Sequence, residues 1–184
     1  MKILAISGSL RAASHNTALL RAAADLAPEG VEVELYQGLE LLPPFNEDWE
    51  RDPPSEAIRL REAIDDADTV LFSTPEYNGT MPGQMKNVVD WGSRPHGPGA
   101  ALWGKPVAAI GASVTDYGAI WAQDHLRRSL GLAGARVLDA DFPVAAASKR
   151  FDPAGRLTDL ETRDRLATLL QSLVHDHSQL ATAA

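Results

Sequence analysis

Cysteine is absent from the 184 residues, which excludes disulfides, thiolate nucleophiles, iron–sulfur clusters and Cys-ligated zinc. Any redox chemistry must therefore be carried by a cofactor. Long apolar runs are missing too, since no stretch approaches the roughly 20 residues of a membrane span. The start, Met1-Lys2-Ile3-Leu4-Ala5-Ile6, breaks at Ser7-Gly8-Ser9, short of the roughly 7–15-residue core of a signal peptide. A cytoplasmic protein with no membrane partner is expected. Positive charge is scarce: 17 Lys and Arg stand against 25 Asp and Glu, a net charge of −8, so no broad positive field is available to a polynucleotide. Glycine (14) and proline (12) stay well under the roughly 25–30% of low-complexity chains, and no repeat is visible. The chain reads as one domain over residues 1–184, with a tail frayed from about residue 178.

What is present is an alternation of short apolar runs with helical periodicity. Ile3 to Ser7 reads as a strand, and Ala18, Leu19, Ala22, Ala23 and Leu26 follow at helical spacing. Val31, Val33 and Leu35 alternate with Glu32 and Glu34, the pattern of a half-buried strand near a sheet edge. Residues 37–55, rich in proline and carrying Phe45 and Trp49, read as a long irregular connection of the kind that borders sites. A helix begins at Ser55-Glu56. Thr69 to Ser73 and Pro106 to Gly111 are continuous apolar runs that suit central parallel strands buried on both faces. Gln84–Trp91, Trp121–Leu132 and Leu160–Val174 read as helices, and Arg136-Val137-Leu138 as the fifth strand. The order predicts an α/β fold of flavodoxin-like type, a five-stranded parallel sheet of order 2-1-3-4-5 with helices on both faces. Ligands of such sheets sit beyond the carboxyl ends of the strands, near the switch between the first and third. Gly8 onward and Pro75 onward are therefore the first places to look.

The loop Gly8-Ser9-Leu10-Arg11-Ala12-Ala13-Ser14-His15-Asn16 offers an anion the free amides of a helix start, the hydroxyls of Ser9 and Ser14, the Asn16 amide and the Arg11 guanidinium. The plain alternative is a capped helix with an exposed arginine. Neither a Walker A loop nor Gly-x-Gly-x-x-Gly is present: Gly104-Lys105 runs into Pro106, and positions 10 and 13 are Leu and Ala. A mononucleotide phosphate fits better. The loop Pro75-Glu76-Tyr77-Asn78-Gly79-Thr80-Met81-Pro82-Gly83 is stiffened by two prolines, and its amides can face the edge of a heterocycle with the Tyr77 ring beside it. An ordinary turn is the alternative there.

Gly8-Ser9-Leu10-Arg11-x-x-Ser14-x-Asn16 together with Pro75-Glu76-Tyr77-Asn78-Gly79-x-x-Pro82-Gly83-x-x-Lys86-Asn87-x-x-Asp90-Trp91 closely resembles the two signatures of the NADPH-dependent FMN reductase family, which includes quinone, chromate and azo-compound reductases. The resemblance spans roughly residues 2 to 174. It implies that Ser9, Arg11, Ser14 and Asn16 hold the FMN phosphate with Leu10 and Thr17 adjacent. It places Pro75, Glu76, Tyr77, Asn78 and Gly79 along the isoalloxazine ring, with a third loop, Ala112 to Gly118 and including Ser113, closing the site. That third loop departs from the family pattern. Asp116, Tyr117 and a single Gly118 before Ala119 stand where the family has a glycine-rich stretch and a glycine pair, a change that bears on nicotinamide docking and substrate access. The implied activity passes hydride from NADPH or NADH to FMN and electrons onward to a small-molecule acceptor of quinone type. No side chain is assigned as a catalytic acid or base, and no metal site is expected.

The resemblance also implies a homodimer or homotetramer, and Trp91, Trp103 and Trp121 divide between core and interface in that expectation. His175 and His177 point to different helix faces, and Gly111-Ala112-Ser113-Val114-Thr115 lacks the last glycine of a nucleophile elbow. Glu56, Arg59, Arg61, Glu62, Arg127 and Arg128 read as solvated helix faces. Two rivals differ in class: a flavodoxin-type FMN electron carrier without nicotinamide oxidase activity, and a flavin-free scaffold module.

Overall fold

Strand β1 (Lys2–Ser7) lies at the centre of the sheet in the computed structural model, which describes residues 1–183 and the side chains of residues 1–179. It pairs in parallel with β2 (Glu32–Leu35) on one side, Ile3 opposite Val33, and with β3 (Thr69–Ser73) on the other, Ile3 opposite Thr69. β4 (Pro106–Ala112) pairs with β3, and β5 (Arg136–Val137) with the start of β4, giving the order β2-β1-β3-β4-β5. Two residues absent from the sequence reading, Pro143–Val144, form a further strand β6 that pairs with Gly111 and Ala112 on the edge of β4 that β5 also occupies. The fifth strand is thus split, with residues 138–142 looping out between its halves.

Alternation sorts the strand residues to the two faces. Leu4, Ile6, Val70, Phe72, Val107 and Ala109 pack under helices α2 (Ser55–Asp66), α3 (Gly83–Gly92) and α4 (Ile120–Leu132). Ile3, Ala5, Leu71, Ala108 and Ile110 pack under α1 (His15–Asp25) and α5 (Leu160–Ala183). β3 and β4 are buried along their whole length, as continuous apolar strands must be when both faces are covered. β2 alternates exposed and half-buried, as its glutamates require at an edge. α5 runs from Leu160 to Ala183, and near its end Ser178 Oγ donates to Val174 O at 2.9 Å.

The 37–55 connection contains two short 3₁₀ turns and is pinned to α3. Asn87 Oδ1 accepts from the Phe45 amide at 2.7 Å, and Trp91 Nε1 donates to Pro43 O at 2.9 Å. Trp91 is fully buried with Phe45 edge-on to it, so this tryptophan belongs to the core, while Trp49, Trp103 and Trp121 remain substantially exposed. Arg61, which the charge pattern places on a solvated face, instead lies over the Trp91 ring and donates Nε to Trp91 O at 2.9 Å.

Candidate functional site

Three loops, after β1, β3 and β4, meet at the carboxyl edge of the sheet. At the first, the Gly8 amide donates to Ser73 O at 2.8 Å. A Cβ on Gly8 would lie 2.9 Å from the Met85 methyl and 3.3 Å from Pro75 Cδ, so the glycine is what lets the first two loops close on each other. Ser7 Oγ bonds Thr17 Oγ1 at 2.8 Å and accepts from the Ser9 amide at 3.3 Å, fixing the start of the turn. Ser14 caps α1, its Oγ accepting from the Thr17 amide at 3.2 Å. The amides of His15 and Asn16 have no acceptor among the described residues, and Arg11 is exposed with neither ion pair nor hydrogen bond there. A free guanidinium beside uncompensated helix amides is an anion receptor. Partial burial, and secondarily the Arg11 charge, lowers the pKa of His15, whose ring lies 5.4 Å from that of Phe151; this histidine stays neutral near pH 7.

The predicted phosphate residues do not all face one way. Ser9, Leu10, Arg11 and Thr17 line a cleft of about 300 Å³ with Arg21 and Tyr36. Ser14 and His15 line a separate cleft of about 500 Å³ with Phe151, and Arg21 borders both. Asn16 is buried and turned toward the sheet: its Oδ1 accepts from Ser73 Oγ and the Ala112 amide, each at 2.9 Å, while Nδ2 donates to Ala112 O at 3.0 Å. Its side chain ties the first loop to the ends of β3 and β4.

In the second loop, Tyr77 and Thr80 exchange backbone hydrogen bonds at 2.9 and 3.2 Å around Asn78 (φ 53°) and Gly79 (φ 75°), the Asn-Gly turn of a tight hairpin. The amides of Asn78 and Gly79 have no partners among the described residues and the Tyr77 ring is half exposed. Glu76 Oε2 accepts from the Ala122 amide at 3.2 Å, supplying the cap that Ala119, the residue before α4, lacks. His125 Nδ1 and Thr80 Oγ1, 2.8 Å apart, add a second tie between hairpin and α4.

The third loop is laced to β6. The Ser113 amide donates to Val144 O at 3.1 Å, the Ala147 amide donates to Ser113 O at 2.9 Å, and Ser113 Oγ is used locally, accepting from the Thr115 amide at 3.2 Å. Gly118 (φ 59°) and Ala119 (φ 63°) are consecutive left-handed residues. Gln123, fully buried, locks them: Nε2 donates to Gly118 O at 3.1 Å and Ala119 O at 3.3 Å, and Oε1 accepts from the Phe142 amide at 3.1 Å. Sequence reasoning missed Gln123, His125 and β6. A glutamine or histidine on an amphipathic helix carries no signal of what it meets across the fold, although an uncapped helix after a departure from a glycine pattern is a cue to look for an external cap.

These three loops together present an anion receptor next to a hairpin with free amides and an aromatic ring, a donor set that suits a phosphate ester carrying a flat heterocycle. The family profile described as NADPH-dependent FMN reductase matches residues 1–149. An NAD(P)H-dependent FMN reductase of Pseudomonas aeruginosa is 41% identical over 175 residues, 94% of this chain and 93% of that protein. A 2-hydroxy-1,4-benzoquinone reductase of a Burkholderia species is 37% identical over 172 residues, 92% of each. Among solved structures, the flavoenzyme NAD(P)H:(acceptor) oxidoreductase FerB of Paracoccus denitrificans superposes with a TM-score of 0.84 at 32% identity over 97% of both chains.

Proposed function

The chain belongs to the NADPH-dependent FMN reductase family, and from that membership we propose a specific division of labour among its loops and a quinone as its acceptor. It is an NAD(P)H-dependent oxidoreductase that uses FMN. Bound FMN would supply two-electron chemistry between the reduced nicotinamide and the acceptor. In sum, NAD(P)H, one proton taken from water and a quinone give NAD(P)⁺ and a hydroquinone.

Arg11, Ser9 and the first amides of α1 hold the phosphate by charge and by hydrogen bonds that no protein group competes for. Leu10 and Thr17 shape the same cleft, and Ser14 contributes by ordering the helix start. Asn16 acts from beneath, fixing the spacing between the phosphate loop and β4. Pro75, Glu76, Tyr77, Asn78 and Gly79 border the ring, with the free turn amides available to its polar edge and Ser113 closing the far side. Pre-formed donors aimed at one place lower the cost of ordering at each turnover. The observation that carries this reading is the convergence of an unpaired Arg11, uncompensated helix amides and the free-amide hairpin at one sheet edge, tied together by Asn16 and Glu76.

The same reading makes the protein cytoplasmic and a homodimer or homotetramer. No helix among the described residues is long and apolar enough to cross a membrane. Exposed Trp103 and Leu132 border one cleft between α3 and α4 that Lys86, Asp90 and Arg94 also line, and a second copy would cover the two apolar side chains. A monomer by mass measurement at micromolar concentration removes the oligomer. The decisive experiment is a visible absorption titration with FMN followed by anaerobic addition of NADPH or NADH. Bleaching of bound flavin is expected; binding without bleaching indicates an electron carrier, and no binding an empty scaffold.

A further inference from the structure

We propose that Tyr117 and Trp121 form an aromatic platform at the mouth of this site that selects fused-ring over single-ring quinones, an inference that rests on the quinone reductase reading. Their ring centroids lie 4.7 Å apart at an interplanar angle of 43°, yet the residues remain 59% and 45% exposed. An aromatic pair that served the core would hide its faces. This pair is in tilted contact and still open to solvent.

The backbone has been bent to make it. Gly118 and Ala119, both left-handed, turn the chain so that Tyr117 comes back onto Trp121 at the start of α4. Ala119 adopts this conformation against the preference of its Cβ, and such strain persists only where surrounding structure dictates it. Gln123 does so from below, holding both carbonyls of the turn, and a Cβ on Gly118 would meet Val144 N at 2.7 Å, so the turn has no slack.

The same elements place the pair beside the cofactor loops. Ala122, next to Trp121, donates its amide to Glu76, and His125, one turn on, meets Thr80 of the hairpin that carries Tyr77. Leu10, Tyr77 and Val114, one from each loop, are also exposed. A flat, neutral molecule with two fused rings offers the platform a further aromatic face beside its quinone ring; a single-ring quinone offers none. The test uses FMN-loaded protein with 2-methyl-1,4-naphthoquinone and 1,4-benzoquinone as acceptors, and the variants Tyr117→Ala, Trp121→Ala and Trp121→Phe.

In Trp121→Ala and Tyr117→Ala the ratio of kcat/KM for the naphthoquinone to that for the benzoquinone should fall about two- to tenfold, through KM, as loss of one aromatic contact predicts. Trp121→Phe should keep the preference. Independently of turnover, saturable quenching of tryptophan emission by the naphthoquinone should weaken in Tyr117→Ala and disappear in Trp121→Phe. Equal loss for both quinones, unchanged ratios, or uniform loss accompanied by a smaller oligomer, which would make the pair a subunit contact, each overturns the proposal. Wild-type protein that reduces neither quinone overturns the reductase reading itself, a result recognisable before any variant is made.

Discussion

The side-chain amide of Asn16 exchanges two hydrogen bonds with the backbone of Ala112, 96 residues away, accepting its N–H at 2.9 Å and donating to its carbonyl at 3.0 Å. With Ser73 Oγ as a third partner at 2.9 Å, one buried residue joins the loops and strands that the site is built on. Neither Ala nor Leu can replace these bonds, and both leave the buried Ala112 groups unpaired. Asn16→Ala should therefore destabilise the fold by about 2–4 kcal/mol, since each stranded buried group costs roughly 1–3 kcal/mol. Urea unfolding of the apo protein measures it, and a loss under about 0.5 kcal/mol would show that water replaces the side chain without penalty.

Arg11 is the opposite case, a side chain that the fold does not use. Because it is exposed and unpaired among the described residues, Arg11→Ala should leave the unfolding midpoint unchanged while weakening FMN binding by about 1.5–3 kcal/mol, the range for hydrogen bonds to charged groups. Titration of flavin absorbance or fluorescence reads the loss, and raised salt should narrow the difference between wild type and variant. Unchanged affinity would remove the phosphate assignment.

Gly118 and Ala119 share a left-handed backbone but differ in room. A methyl on Gly118 would meet the Val144 and Ala145 amides at 2.7 and 2.9 Å besides straining a residue at φ 59°, so Gly118→Ala should cost at least about 2 kcal/mol. Ala119→Gly relieves about 1–2 kcal/mol of left-handed strain but gives up a buried methyl and adds chain entropy, about 1 kcal/mol each, so gain and loss largely offset. Thermal unfolding of the two variants should show a large drop for the first and almost none for the second.

The sheet was legible because its signal is local. Thr69 to Ser73 and Pro106 to Gly111 are apolar without interruption, and only burial on both faces accommodates that. The second loop was legible as a turn through Asn78-Gly79, whose residue types suit one. What could not be read is the long-range commitment of polar side chains. Asn16 offers an anion an amide by its type, and the folded chain spends that amide on Ala112 and Ser73. Glu76 caps a helix whose own first residues cannot, and Gln123 serves three backbone groups from a helix position that periodicity alone would leave blank. The split fifth strand escaped because Pro143–Val144 is too short to carry a period.

Asp159 provides a titration outside the site. It accepts from Thr162 Oγ1 at 2.6 Å, from the Thr162 amide at 2.9 Å and from Arg150 Nη1 at 2.6 Å, and so caps the start of α5. Those bonds, the Thr162 hydroxyl first, lower its pKa from 3.8 to about 2. A carboxyl depressed in the folded state stabilises the fold fully above its unfolded pKa and loses that contribution as pH falls through the folded value, here between about pH 4 and pH 2. Asp159→Asn keeps an acceptor for the cap but cannot pair with Arg150 or change charge. The variant should be less stable than wild type at pH 5, and the gap should close as urea midpoints are followed down to pH 2. Because every other carboxylate titrates alike in both proteins, the difference isolates this one. A gap that stays constant across that window would mean that the Asp159 charge does not contribute, and that the two Thr162 bonds alone hold the first turn of α5.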